Sequence, residues 1–117
     1  MLFMLIVKAS LNSENANRPK PGLEEAMDRY NEALVEAKVR VMAKGLHPSS
    51  EGIRLSYPQH NGKPVITEGP FPNPQDIIAG FFLIDVKSKE EALEWAMKLP
   101  DPQGDGEGHA ELRQVFE

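Results

Sequence analysis

The chain has 117 residues, with thirteen Lys and Arg against eighteen Asp and Glu, a net charge of −5 and no cysteine. That length fits one domain of about 100–150 residues, able to bury about two-thirds of its unfolded surface without metal or disulfide staples. The composition excludes disulfides, cysteine-ligated metal and thiol chemistry, fits a reducing compartment, and lacks the clustered basic surface that a nucleic-acid partner needs.

Residues 1–7 are apolar but carry neither a charged n-region nor a small-residue cleavage site, and they fall far short of the ~20 apolar residues that span a bilayer. We read Leu2–Lys8 as an inner strand of a soluble, cytoplasmic protein with no membrane partner. Residues 10–22 form a polar, Asn-rich linker in which Pro19 and Pro21 bar regular structure. Leu23, Ala26, Met27, Tyr30, Leu34 and Ala37 then make one helical stripe, with Glu24 and Glu25 in the first turn, where the helix dipole favours anions.

Val39-Arg40-Val41-Met42 switches to alternation and predicts a short strand ending at Gly45, followed by a loop from Leu46 to Ser50. Ile53, Leu55 and Tyr57 alternate with Arg54 and Ser56, the pattern of a half-buried strand. Asn61-Gly62 signals a hairpin that returns the chain into residues 63–67. A turn at Glu68-Gly69-Pro70-Phe71 leads to the most strand-like segment, residues 79–86, apolar on both faces and so expected in the middle of a sheet. Ser88 and Glu91 form a capping box for a helix that buries Ala92, Leu93, Ala96 and Met97 and stops before Pro100. Residues 101–108 are an acidic, glycine-rich loop, and residues 110–116 a last strand.

The order β, α, β, hairpin, β, α, β, with mixed pairing, predicts a single α+β domain over residues 1–117, ferredoxin-like, with both helices on one face of the sheet. Inner strands that are apolar on both sides leave the second face in need of cover. Self-association through that face as a two-fold homodimer supplies it.

His47 and Glu68 are the natural acid–base candidates, because an imidazole and a carboxylate can share a proton and each follows a predicted strand. In the alternative, His47 bonds the backbone of its own loop and Glu68 only occupies a turn. The hydroxyls of Ser49 and Ser50 can bind an anion or cap the turn; no strand–turn–helix elbow marks either as a nucleophile. Arg54, Lys44 and Arg40 offer positive charge to an acidic ligand, or solvate the surface. Phe71 would line the cleft, and Tyr30 is either a cleft residue or core with its hydroxyl at an edge. No metal site or cofactor is expected: the three histidines have no ligand spacing, and the loop from Asp101 places Leu112 where a calcium loop needs a carboxylate. Gly104–Gly108 is too acidic for a phosphate cradle and does not join a strand to a helix.

Several stretches resemble the YCII-related proteins, in particular their DGPF-domain branch. Gly45-Leu46-His47-Pro48-Ser49-Ser50 resembles the family's Gly-Leu-His-Pro-Ser block, and Glu68-Gly69-Pro70-Phe71 its Asp-Gly-Pro-Phe signature with Glu in place of Asp. The segments Gly80–Val86, Ala92–Ala96 and Glu111–Glu117 are similar to further blocks, so the resemblance runs through nearly the whole chain. It implies a ferredoxin-like fold, a dimer with sheets facing each other, and a cleft of unknown ligand. Distant members carry a first-helix His thought to pair with an Asp; here Tyr30 falls about where that His would sit, and Lys44 stands where a Glu is frequent. DGPF-type proteins also resemble partners of sigma-like transcription regulators. Two functions follow as expectations. The first is a homodimeric module binding a small organic molecule near the His47 and Glu68 loops, with acid–base chemistry of the elimination or isomerisation kind as an option. The second is a non-catalytic regulatory or interaction protein.

Overall fold

The computed structural model of the protein describes residues 1–10, 14, 22–102 and 108–117. Its elements are β1 (Leu2–Lys8), α1 (Leu23–Glu36), β2 (Arg40–Gly45), β3 (Ile53–Ser56), β4 (Val65–Glu68), β5 (Ile78–Asp85), α2 (Lys89–Met97) and β6 (Ala110–Gln114). Short 3-10 turns at Ser49–Glu51 and Pro74–Asp76 interrupt the loops. The linker expected over residues 10–22 lies outside the described residues except at Ser10, Glu14 and Gly22; Glu14 is helical there, its N–H donating to the Ser10 carbonyl at 3.0 Å. The acidic loop is described only at Asp101, Pro102 and Gly108.

Local chemistry sets the helix ends. Helix α1 stops with Lys38 in a left-handed conformation, φ 61°. The Lys38 N–H bonds the Val35 carbonyl and the Val39 N–H the Leu34 carbonyl, so the last turn's carbonyls are satisfied in the paired arrangement usually built on glycine. Helix α2 opens on the expected box: the Glu91 N–H donates to Ser88 Oγ at 3.1 Å, and the Glu91 carboxylate reaches back to the Lys87 N–H at 2.8 Å.

Four strands pair in the order β2-β5-β1-β6. The two segments read as inner strands, β1 and β5, are the central ones. Every pair in this sheet is antiparallel, which corrects the expectation of mixed pairing. Strands β1 and β2 do run parallel, but β5 lies between them and opposes both. That is the split βαβ arrangement of a ferredoxin-like α+β fold, with the β3–β4 hairpin inserted between β2 and β5.

Alternation along β1 buries Phe3, Leu5 and Val7 on the helix side. Phe3 and Leu5 join Tyr30 and Leu34 of α1, Ile84 of β5 and Ala92 of α2 in one core, with Phe82 and Trp95 packed against it. Leu34, at 0% exposure, contributes about 2–3 kcal/mol by burial. The alternate register of the same strands, Leu2, Met4, Ile6, Phe81 and Leu83, lies on the opposite face and stays half-exposed.

Strands β3 and β4 form a separate two-stranded ribbon in which every residue is exposed. The strand expected to be half-buried is therefore uncovered: it pairs only with β4, and among the described residues nothing packs over the ribbon's apolar face. Among the described residues no helix is long and apolar enough to cross a membrane.

Candidate functional site

The strand ends gather the loops of interest at one end of the sheet. β1 and β2 finish there and β5 begins there, with the Ala9 N–H bonded to the Ile77 carbonyl and the Leu46 N–H to the Ala79 carbonyl at 2.8 and 2.7 Å. The segments after β1, after β2 and before β5 therefore converge.

Ser49 holds them together. It is the first residue of the 3-10 turn and is buried, the polar side chain most withdrawn from water among the described residues. Its N–H has no partner within so short a turn and donates to Glu14 Oε2 at 3.0 Å. Its hydroxyl donates to Glu14 Oε1 and accepts the Phe71 N–H at 3.0 Å. One carboxylate thus takes two donors from Ser49, a charge-assisted arrangement stronger than a neutral bond. Alongside, the Gly69 N–H donates to the Gly52 carbonyl at 3.0 Å. Gly69 packs so tightly that a Cβ there would overlap the Ser49 carbonyl oxygen, which is why this position takes glycine. The Gly69–Pro70 peptide bond is cis. The Arg54 guanidinium lies 4.1 Å from the Phe71 ring centroid, a cation–π contact between ribbon and loop.

Sheet geometry thus brings Ser49, Phe71 and Arg54 into one cluster. It places the other candidates elsewhere. The carboxylate that His47 meets is Glu51, 3.2 Å from Nδ1, with both side chains in solvent at 84% and 61% exposure. Glu68 sits opposite Ile53 at the base of the ribbon and, among the described residues, makes no ion pair. Ser50 is exposed in the middle of the 3-10 turn. Tyr30 is in the core: its hydroxyl donates to the Trp95 carbonyl at 2.7 Å and its ring meets Phe82 edge-on at 5.2 Å. Burial pushes its phenol up to about 12.

A cleft of about 280 Å³ opens between the first half of α1 and the paired ends of β2 and β5, and none of His47, Ser49, Arg54, Glu68 or Phe71 lines it. Its floor follows from register. Gly45 faces Gly80 across the strands, and Gly80 faces Val7 on the helix side, so two adjacent positions beneath α1 carry no side chain. Val7, Met27 and Phe82 give apolar lining; Asp28 and Asn31 bring a carboxylate and an amide to it, while Lys44, opposite Phe81 in the register, carries its side chain on the other face of the sheet. Arg40 Nη1 holds the Asn31 amide oxygen at 3.2 Å, and among the described residues Asp28 and Lys44 form no ion pair. Sequence reasoning missed this cleft and Glu14. Glycines inside two predicted strands were a usable signal, since such positions mark a close backbone approach or a ligand. Nothing local to Glu14 announced its partner 35 residues away.

A family model, the YCII-related domain, matches residues 1–117, the whole chain. No curated protein matches the sequence.

Proposed function

Since the chain belongs to the YCII-related domain family, we propose that it is a small binding domain whose ligand, a small organic molecule, sits in the cleft between α1 and the paired ends of β2 and β5. The observation that carries this reading is the bare Gly45–Gly80 pair, which leaves an apolar floor edged by Asp28 and Asn31. Concave apolar surface with a few polar groups of defined sign is the usual form of a small-molecule site, and about 280 Å³ is close to the lower end of its usual size. Binding rather than catalysis is the reading, because the His–carboxylate pair formed among the described residues, His47 with Glu51, lies in open solvent and lacks the sequestered position acid–base catalysis uses. The Glu68-Gly69-Pro70-Phe71 turn supports placement in the DGPF branch, and the cysteine-free composition supports a cytoplasmic setting.

The test is Gly45→Val. A Cβ at Gly45 meets only the Ala79 carbonyl oxygen, at 4.0 Å, so the side chain starts from open space, projects into the cleft and suits a strand. Small carboxylic acids, amines and hydroxy acids are screened by ligand-observed NMR. At least one class should bind wild type and lose about tenfold or more in affinity on Gly45→Val, with unchanged stability. Equal binding to both proteins, or none to wild type, would sink the reading.

The half-exposed apolar sheet face of Leu2, Met4, Ile6, Phe81 and Leu83 supports self-association as a homodimer. The uncovered ribbon favours a second reading, a non-catalytic interaction protein. In that case the small-molecule screen is blank, and surface substitutions on the ribbon abolish the biological role while leaving the fold intact.

A further inference from the structure

The two glycines of the cleft floor have different causes. A Cβ at Gly80 would meet the Lys44 carbonyl oxygen at 2.8 Å, closer than a side chain comes to backbone, so the pairing of β2 with β5 itself requires glycine there. Gly45 is under no such demand: an added Cβ meets only the Ala79 carbonyl oxygen, at 4.0 Å, and its φ is not in the left-handed region. Its missing side chain leaves space beneath α1, an apolar hollow between Met27 and Phe82. Packing does not explain that space.

The rim of the hollow has one sign of charge. Asp28 and Asn31 are neighbours on one face of α1, and Glu24 lies one turn before Asp28. Among the described residues neither Glu24 nor Asp28 enters an ion pair. The cations of the flanking strands are directed elsewhere: Lys44 to the opposite face of the sheet, Lys8 to Glu111 at 3.2 Å, and Arg40 to the Asn31 amide oxygen at 3.2 Å. A guanidinium can only donate, so Arg40 fixes the Asn31 oxygen toward itself and leaves the amide NH2 as a donor. An anionic ligand would bring its charge up to Asp28 and Glu24, with no cationic side chain in the lining to offset them. We propose that the cleft takes a small primary amine, its ammonium meeting Asp28 and its apolar body lying over Gly45 between Met27 and Phe82. This rests on the small-molecule reading above and supplies the charge and class of the ligand. The ion pair forms at a half-open rim and is modest in strength; it selects among ligands whose bodies the apolar floor holds equally well.

Probes that share one body and differ in charge test it: cyclohexylmethylamine, cyclohexylmethanol and cyclohexanecarboxylate. Each is titrated at neutral pH by ligand-observed NMR against wild type, Asp28→Asn, Glu36→Gln and Gly45→Val, with circular dichroism checking that the variants are folded. The amine should bind wild type about three- to tenfold more tightly than the alcohol, with the carboxylate weakest. Asp28→Asn should remove that preference and leave the alcohol's affinity unchanged. Glu36→Gln makes the same change of charge at the far end of α1 and should keep the preference. Gly45→Val should weaken amine and alcohol alike. If the alcohol or the carboxylate binds as tightly as the amine and all binding is lost on Gly45→Val, the ammonium assignment is overturned and the cleft stands. An amine preference that survives Asp28→Asn, or amine binding that Gly45→Val leaves intact, overturns it too. If no probe binds, the amine inference falls, and a blank in the broader screen above is the result that takes the cleft with it.

Discussion

Replacing Ser49 by alanine removes one hydroxyl that serves two hydrogen bonds, so its cost can be worked from the structure. The bond to the Glu14 carboxylate is charge-assisted, worth about 1.5–3 kcal/mol, and the one from the Phe71 N–H is a neutral bond worth about 0.5–1.5 kcal/mol. Glu14 keeps the Ser49 N–H and is itself only half-buried, which lowers the sum. The expected loss is about 2–3 kcal/mol. Trp95, the single tryptophan and packed against the core, reports urea unfolding by its fluorescence. With a slope of about 1–2 kcal/mol per molar urea, the midpoint should fall by about 1–3 M. Ser50→Ala, at the exposed neighbour, should stay within about 0.5 kcal/mol of wild type. Combining Ser49→Ala with Glu14→Ala closes a double-mutant cycle whose coupling should be about 1–2 kcal/mol. A Ser49→Ala protein as stable as wild type, or strictly additive single variants, would refute the clasp.

Alkaline pH should separate Tyr30 from the rest of the chain. Its folded pKa, about 12, lies above the unfolded value near 10, so the folded form resists ionisation. Stability is unaffected below about pH 10 and falls between about pH 10 and 12, by up to about 2–3 kcal/mol for this group. Tyr30→Phe should flatten that part of the urea-stability profile, and an unchanged slope would contradict the buried placement. Gly69→Ala should cost about 2–3 kcal/mol, because the added Cβ meets the Ser49 carbonyl, which is backbone and has nowhere to move. Gly45→Ala, where a Cβ meets almost nothing, should cost far less, and equal losses at the two positions would argue against the tight loop junction.

Much of the fold was readable along the chain because its signals are local. The stripe from Leu23 to Leu34, the Ser88–Glu91 box and the doubly apolar runs of β1 and β5 each depend on residues a few positions apart, and each element formed where expected. Which loops would meet was also partly legible: His47 and Glu68 lie on loops that do converge, and Ser49, Phe71 and Arg54 come together there.

The pairing of side chains across those loops was decided only in three dimensions. No local pattern distinguishes a histidine that meets Glu51 from one that meets Glu68, or links Glu14 to Ser49. The cleft arises because the register of β2 on β5 sets Gly45 against Gly80, and register is a property of two strands, not one. The ribbon shows the same division most plainly. Alternation of Ile53, Leu55 and Tyr57 determined that one face is apolar, but whether this chain covers that face depends on where β3 and β4 lie, and they lie outside the main sheet. Periodicity fixes which side of an element seeks burial; the tertiary arrangement alone decides what, if anything, is there to bury it.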